Sequence, residues 1–390
     1  MADDIVLPIP NLALAQHAFT LAQPHLAHLH DDARTQLLAG ISADQMTPYY
    51  RSILASSSAS ISILPDDPKL LAQLEEANKE ELQKLDERLA DAEKTEGESE
   101  ISDALKARAN FFTRIGEKDL AITSQKLALE KTPGLGSRID IVLTLSRIGF
   151  FFADTDLVVW SLDRAESLID EGGDWDRRNR LKVYRALHLI STRSFAPAAT
   201  LLADALSTFT ATELLSYNEF VGLTVVANVL VRGRREIRDK IIASPEVNQV
   251  LPELPVLGDL VKNLYDCHYD KFFIALATLE QTLLLPSRIL SPHARFYVRE
   301  LRIKAYAQLL ESYRSLTFES LSRAFGVGIE FLDSELSRFI ALGRLHCTID
   351  KVHGIVETTR PSLKNAQYEA VVRQGDVLLN EVQRLSKVLV

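Results

Sequence analysis

The sequence predicts a mostly α-helical chain: a solenoid of paired helices resembling tetratricopeptide repeats, then a winged helix, then a terminal helix. Three observations carry this reading. No proline occurs between Pro68 and Pro133, between Pro133 and Pro197, or between Pro292 and Pro361. Proline breaks helix interiors, so these gaps leave room for long helices. Helix-pair patterns recur at a loose period near 38 residues, the mark of stacked repeats. Strand signals are nearly absent until residue 344, where a short hairpin closes a helical unit.

The bulk properties allow two or three domains. At 390 residues, with 46% apolar and 25% charged residues, the chain has an ordinary globular composition. A net charge of −9 argues against general binding to nucleic acid or to anionic membrane surfaces. Cys267 and Cys347 are the two cysteines, far apart, which points to a reducing compartment rather than a disulfide framework. The start, MADDIVLPIPN, is acidic and interrupted by Pro8 and Pro10, so it does not read as a signal peptide. The longest apolar stretch, Val221 to Val231, falls well short of the roughly 20 residues that span a bilayer.

In chain order, residues 1–65 form an amphipathic segment followed by a Ser-rich linker, Ser56 to Ser62. Lys69 to Glu100 reads as a charged helix. Leu71, Leu74, Asn78, Leu82, Leu85 and Leu89 give it one apolar seam near heptad spacing. Glu75/Lys79 and Glu80/Lys84 are favourably oriented i,i+4 pairs. The plain reading is a solvated helix with a seam; the alternative is a two-stranded coiled coil.

The first helix pair spans Ala107 to Pro133, with a turn at Gly116–Asp119 and a second helix through Ala121 and Ala128. A second unit runs from Ile141 through Gly149 to Ile169, and a third from Asn179 through Ala198 to Phe209. Ala121, Val159 and Ala198 are taken as equivalent positions, 38 and 39 residues apart. Further helices are expected over Asp270–Leu284 and Ala294–Tyr313.

In the winged-helix segment, Thr317 caps a short helix to Arg323, and Gly326 and Gly328 make the turn. Ile329 to Leu342 is the second helix, with Ile329, Leu332, Leu336 and Phe339 buried. Leu345 to Ile349 is a strand, Asp350 to Gly354 the wing, and Ile355 to Thr358 the return. A winged helix raises the question of DNA. Here the helix that would enter the groove carries Glu330, Asp333 and Glu335 against one arginine, Arg338. Phosphate would repel it, so the module is expected to touch protein. Finally, Val371, Gly375, Leu378, Val382, Leu385 and Leu389 repeat at alternating spacings of 4 and 3 within Ala366–Val390. That heptad seam either folds back or joins a bundle with other chains.

The search for chemistry finds none that assembles. His25, His28, His30, Asp31 and Asp32 are the best metal candidates, but the plain reading is a polar loop at a helix end. Gly134-Leu135-Gly136 reads as a turn between repeats rather than a phosphate loop. Cys347 and His346 lie on opposite strand faces and cannot cooperate. Arg232, Arg234, Arg235, Arg238 and Lys240 are the one candidate for anion binding, but the run lacks interleaved aromatics and its plain reading is a solvated or salt-bridged strip. In Glu171–Arg178, Trp175 is expected to anchor an unusual turn while the acids and arginines pair locally. The chain is expected to be non-enzymatic, with no cofactor and no metal.

Four segments carry a resemblance: EGGDWDRRNRLKVY (Glu171–Tyr184), YVRELRIKAYAQLLESYRSL (Tyr297–Leu316), the winged-helix segment, and GDVLLNEVQRLSKV (Gly375–Val388). Together they resemble the 26S proteasome non-ATPase regulatory subunit 6 family, from about Thr47 to the end. The first 46 residues resemble it only weakly, and the Ser-rich patch departs from it. The resemblance implies a PCI domain, the module shared by the proteasome lid, the COP9 signalosome and translation initiation factor 3. It also implies four segments: 1–65, helical and linking; 66–240, repeats; 241–360, the PCI domain with its winged helix at 317–360; and 361–390, a bundle helix. The implied function is a structural subunit of the lid, with the homologous signalosome subunit as the alternative. The implied partners are the PCI-domain lid subunits, the lid deubiquitinase and the base ATPases in a hetero-oligomer of cytoplasm and nucleus, without nucleic acid or membrane. Arg344, His346, Lys351 and His353 on the winged helix, and Val371, Leu378, Val382, Leu385 and Leu389 on the seam, are the expected contact residues.

Overall fold

Helices dominate the computed structural model, which describes residues 6–56, 64–65, 67–95, 97–359 and 363–388. Residues 57–62 of the Ser-rich patch, and Leu389 of the seam, lie outside the described residues. The chain divides into two units: residues 1–261 with 278–295, and residues 262–277 with 296–390.

The first unit opens with α1 (Leu12–Ala22), capped by the Asn11 side chain, which accepts from the Ala13 amide at 3.1 Å. A turn of 3₁₀ helix over Pro24–Leu29 leads into α2 (His30–Ala43) and α3 (Thr47–Ser56). Asp31 and Asp32 fall in the first turn of α2, where the helix dipole favours carboxylates. Among the described residues no metal-holding group exists, and Asp32 accepts from Gln36 instead.

The charged helix α4 (Pro68–Thr95) ends earlier than the sequence predicts, because Gly97 starts a new helix, α5 (Glu98–Ile115). Its seam is covered by its own chain, as the plain reading holds. Leu74 is buried with Ile41, Tyr50 and Phe151, and Leu82 and Leu85 pack on Phe111 and Phe112. Asn78 donates to the Gln45 carbonyl and to Thr47 Oγ1, at 2.9 and 3.1 Å. Glu75 pairs with Arg51 rather than with Lys79, and Glu81 reaches Arg114 on α5.

Three helix pairs follow: α5 with α6 (Lys118–Lys131), α7 (Leu135–Phe152) with α8 (Thr155–Asp170), and α9 (Trp175–Ser191) with α10 (Phe195–Ala205). Each pair packs on the next, α6 on α7 and α8 on α9. Gly116 ends α5 with φ 77°, and a Cβ there would come within 2.8 Å of Met46 Cε. Position 116 therefore needs glycine for its left-handed conformation. Small polar groups bond between paired helices inside this stack: Ser146 to Ser161 at 2.8 Å, and Gln125 to Thr113 at 3.1 Å.

The repeat register needs one correction. The three second helices are capped at Glu117, Asp154 and Ser194, so the equivalent fourth residues are Ala121, Val158 and Ala198. All three are buried, whereas Val159 is 40% exposed. A Cβ on Gly149 would come within 2.6 Å of Val158 Cγ2, so the close approach of α7 and α8 occurs there. A second correction concerns the Glu171–Arg178 turn. Trp175 is 62% exposed and anchors nothing. Arg177 holds the turn, donating to Asp140 at 2.6 and 2.9 Å and to Asp174 at 2.7 Å, and these bonds, Asp140's first, raise its pKa further.

The unit continues through α11 (Tyr217–Val231), α12 (Arg234–Ile237), α13 (Pro245–Val250) and α14 (Pro255–Tyr265) as far as Val261. A Ser216–Glu219 capping box starts α11. The basic run forms local pairs, Arg232 with Glu236 and Arg238 with Asp239.

The second unit contains α15 (Tyr269–Leu279) up to Ala277 and α16 (Ala294–Ser312) from Phe296 onward. The winged helix then comprises β1 (Ser315–Thr317), α17 (Phe318–Phe325), α18 (Ile329–Ala341), β2 (Cys347–Asp350) and β3 (Ile355–Thr358). The sheet order is β1-β3-β2, antiparallel throughout, with Val356 opposite both Leu316 and Ile349. Strand β1 was not foreseen: three residues cannot display an alternating pattern. The last helix is α19 (Leu363–Val388).

Candidate protein-interaction surfaces

The winged helix is held by an aromatic core. Phe325 stacks on Tyr269 and packs against Phe273 and Tyr306, with ring centroids 4.6 to 5.1 Å apart. Leu332, Leu336 and Phe339 are buried as periodicity predicts. Ile329 is 46% exposed, contrary to it. It is the first residue of α18, where the 3.6 period no longer reports a covered turn.

The acidic character of α18 also divides differently. Glu335 faces inward, accepting from Arg302 Nη1 at 2.7 Å and from the Tyr306 hydroxyl at 2.6 Å. Burial first, then Glu335, pushes the Tyr306 phenol far up, so it stays a neutral donor. Asp333 takes Lys351 from the wing at 2.9 Å. Arg344 forks onto both carboxylate oxygens of Glu300. The two cations expected to contact a partner are thus neutralised within their own module. Lys351 ties the wing to α18, and Arg344 ties the chain just after α18 to Glu300 of α16.

His346 and His353 are exposed. His353 Nδ1 donates to Asp350 Oδ2 at 2.6 Å, while Asp350 Oδ1 accepts from the Val352 and His353 amides. The His353 bond, chiefly, keeps the Asp350 carboxyl below its usual range, and the wing is a rigid Asx turn. At its tip Val352 is 89% exposed. Phe331 and Leu342 add exposed apolar surface, at 45% and 59%. Sequence reasoning missed these three, though a lone apolar residue in the five-residue wing Asp350–Gly354 is itself a signal. Cys347 is buried and His346 is not, so the two diverge as strand alternation requires, and burial raises the thiol pKa.

On α19 the seam residues Val371, Leu378, Val382 and Leu385 are 60–65% exposed. Val372 and Leu379 widen the stripe, and Val377 lies on the opposite side. The structure leaves these helix-spaced apolar side chains in solvent. No described helix is long and apolar enough to cross a membrane.

Comparison with known proteins matches three family models. Residues 67–240 match the 26S proteasome subunit RPN7 family, residues 273–360 the PCI domain, and residues 367–389 the 26S proteasome regulatory subunit RPN7/PSMD6 C-terminal helix. The chain is 44% identical over 381 residues to a 26S proteasome non-ATPase regulatory subunit 6 homolog of Arabidopsis thaliana, covering 97% of each. It is 40% identical to 26S proteasome non-ATPase regulatory subunit 6 of Dictyostelium discoideum, covering 99% of each. It is 37% identical to 26S proteasome regulatory subunit RPN7 of Saccharomyces cerevisiae, over 98% of this chain and 94% of that one. An alignment that covers 99% of the chain takes in most of the first 46 residues, which the sequence reading left largely outside the resemblance.

Proposed function

We propose a function from one premise: the chain belongs to the 26S proteasome non-ATPase regulatory subunit 6 (RPN7) family. It is a structural subunit of the regulatory-particle lid, and it supports ATP-dependent degradation of ubiquitinated proteins through assembly by its PCI domain. It acts without catalysis of its own. The observation that carries this is the apolar stripe of α19, four of whose seam residues are exposed by 60% or more. Such a helix is completed by other chains.

Residues 66–240 act as the repeat domain, 241–360 as the PCI domain, and 361–390 as the bundle helix. Arg344, His346, Lys351 and His353 are the winged-helix contact residues, Arg344 and Lys351 through the exposed faces of their ion pairs with Glu300 and Asp333. Val371, Leu378, Val382, Leu385 and Leu389 contact the helices of neighbouring subunits. The partners are PCI-domain lid subunits, the lid deubiquitinase and the base ATPases, in cytoplasm and nucleus.

Native purification through an N-terminal tag, with mass spectrometry of the co-purifying proteins, tests this. Near-equal recovery of lid subunits and proteasome ATPases supports it. Recovery of deneddylase subunits without ATPases assigns the chain to the signalosome instead. A chain lacking Leu363–Val390 stays folded and does not enter the particle; its full incorporation refutes the role given to α19.

A further inference from the structure

The large apolar side chains that the first unit leaves in solvent are not scattered. Among the described residues seven are exposed by 40% or more, and five of these, Leu120, Leu127, Val159, Trp160 and Trp175, belong to α6, α8 and the first residue of α9. Trp160 and Trp175 are the two tryptophans of the chain. Large apolar residues gathered on one exposed surface mark a place where another protein is met.

The same stretch is strongly acidic. Residues 155–176 carry seven acidic residues and one basic, Arg164, a net of −6 against −9 for the whole chain. Glu166, Asp174 and Asp176 are paired with Arg185, Arg177 and Arg180 at 2.6 to 2.9 Å. Asp156, Asp163 and Asp170 are exposed and form no salt bridge among the described residues. They stand seven residues apart on α8, so at a rise of about 1.5 Å per residue they form one line about 21 Å long on its outer face. Val159 and Trp160 fill the turn between the first two, three and four residues after Asp156. The Trp160 ring already holds one cation: Lys126 Nζ of α6 lies 4.9 Å from its centroid, which orients the ring. The second helix of the next pair, α10, adds an acid, Asp204, and no base.

Apolar surface edged by unpaired carboxylates repels nucleic acid and anionic membranes alike. Its complement is cationic and apolar at once. A helix laid along α8 presents the residues of one face at the same axial steps. Bases at every seventh residue then meet the three aspartates, and the apolar residues between them meet Val159 and Trp160.

We propose that the outer face of α8 docks a basic amphipathic helix of a partner protein, with Lys or Arg at seven-residue spacing on Asp156, Asp163 and Asp170, and large apolar residues on Val159 and Trp160. This goes beyond assembly through α19 and rests on a different part of the chain.

The test titrates the full-length chain into a fluorescein-labelled synthetic helix and follows anisotropy. The probe is roughly three heptads long, with arginine at every seventh residue, leucines three and four residues after each, and alanine and glutamine elsewhere. It binds, and added salt weakens it. Asp156→Asn with Asp163→Asn weakens binding by about tenfold, and Trp160→Ala by about fivefold. These positions are exposed, so melting is unchanged; should Trp160→Ala melt early, the double Asn variant decides alone. A probe with glutamate in place of arginine binds at least about tenfold more weakly. Leu378→Asp, on the other exposed stripe, leaves the affinity as it was. The proposal is overturned by absence of binding at millimolar probe, by equal binding to the α8 variants, by equal binding of the glutamate probe, or by loss only with Leu378→Asp.

Discussion

Helices α8 and α19 carry the same kinds of apolar residue at helical spacing and meet opposite fates. In α8, Leu157, Val158, Leu162, Ala165 and Leu168 are all at most 8% exposed. In α19, Val371, Leu378, Val382 and Leu385 are exposed by 60–65%. Burial is therefore set by whether a complementary face is supplied. The repeats supply one to each other, helix pair upon helix pair. The terminal helix presents its stripe without cover, and roughly 1 to 2 kcal/mol of unrealised burial for each of the four residues is available for assembly. Helical stability comes mostly from packing on such faces, and α19 lacks that packing along its stripe.

The largest expected effect comes from placing one charge on each side of that divide. Leu336→Asp in α18 puts a carboxylate where exposure is 0%, and costs about 5 kcal/mol of stability in urea unfolding. Leu378→Asp in α19 changes the unfolding of the isolated chain by less than about 0.5 kcal/mol, yet weakens entry into the particle. Equal destabilisation by the two would mean that α19 is covered by its own chain.

A sharper comparison lies between adjacent residues of α8. Val158→Ala costs about 2 kcal/mol, from two lost methyl groups and the space they leave against Gly149. Val159→Ala costs under about 0.5 kcal/mol. A reversal in thermal unfolding would restore the register that spacing alone implies.

That register shows where sequence reading reaches and where it stops. Features with local causes were legible: the Thr317 cap, the Gly116 turn, the buried trio Leu332, Leu336 and Phe339, and the hairpin at Ile355–Thr358. Val159 and Trp175 failed because a one-residue shift, or the choice between a tryptophan and an arginine as anchor, is decided by the neighbouring helix. Glu335 was read as a surface charge because Arg302 and Tyr306, its partners, lie about thirty residues earlier in the chain. Of the candidate surface, the α19 seam was visible as periodicity. The pairing of Arg344 with Glu300 and of Lys351 with Asp333 was not, since neither pair has a sequence signature.

Two long helices with heptad-like seams extend the comparison at smaller cost. In α4 the polar seam residue Asn78 finds acceptors on Gln45 and Thr47 of its own chain. Asn78→Ala removes both bonds and costs about 1 to 2 kcal/mol in urea unfolding of the isolated chain. Gly375 holds the corresponding break in the α19 seam, with no heavy atom within 4 Å of a Cβ built there. Gly375→Ala is therefore neutral to slightly stabilising, by up to about 1 kcal/mol. Destabilisation by Gly375→Ala would show a close neighbour and move α19 into the class of α4.

The smallest expected effect separates charge from capping where α6 meets α8. Asp154 caps α8 by accepting from the Leu157 amide at 3.1 Å, and it also accepts from Lys118 Nζ at 2.6 Å. The Lys118 bond first, then the backbone bond, lowers its pKa from the ordinary 3.8. A lowered folded pKa means that the unfolded chain binds more protons near that value, so the contribution is present above about pH 4 and fades as pH falls. Asp154→Asn keeps a capping oxygen and removes the charge. The Lys118 side chain is 39% exposed, so solvent screening discounts the pair, and the variant loses under about 1 kcal/mol at pH 7. Urea midpoints of the two proteins should differ at pH 7 and converge at about pH 3, where the carboxylate of the parent is increasingly protonated. A difference that persists undiminished at low pH would assign the effect to cap geometry. The junction would then resemble the uncharged Ser194 cap of the next repeat rather than an ion-paired corner.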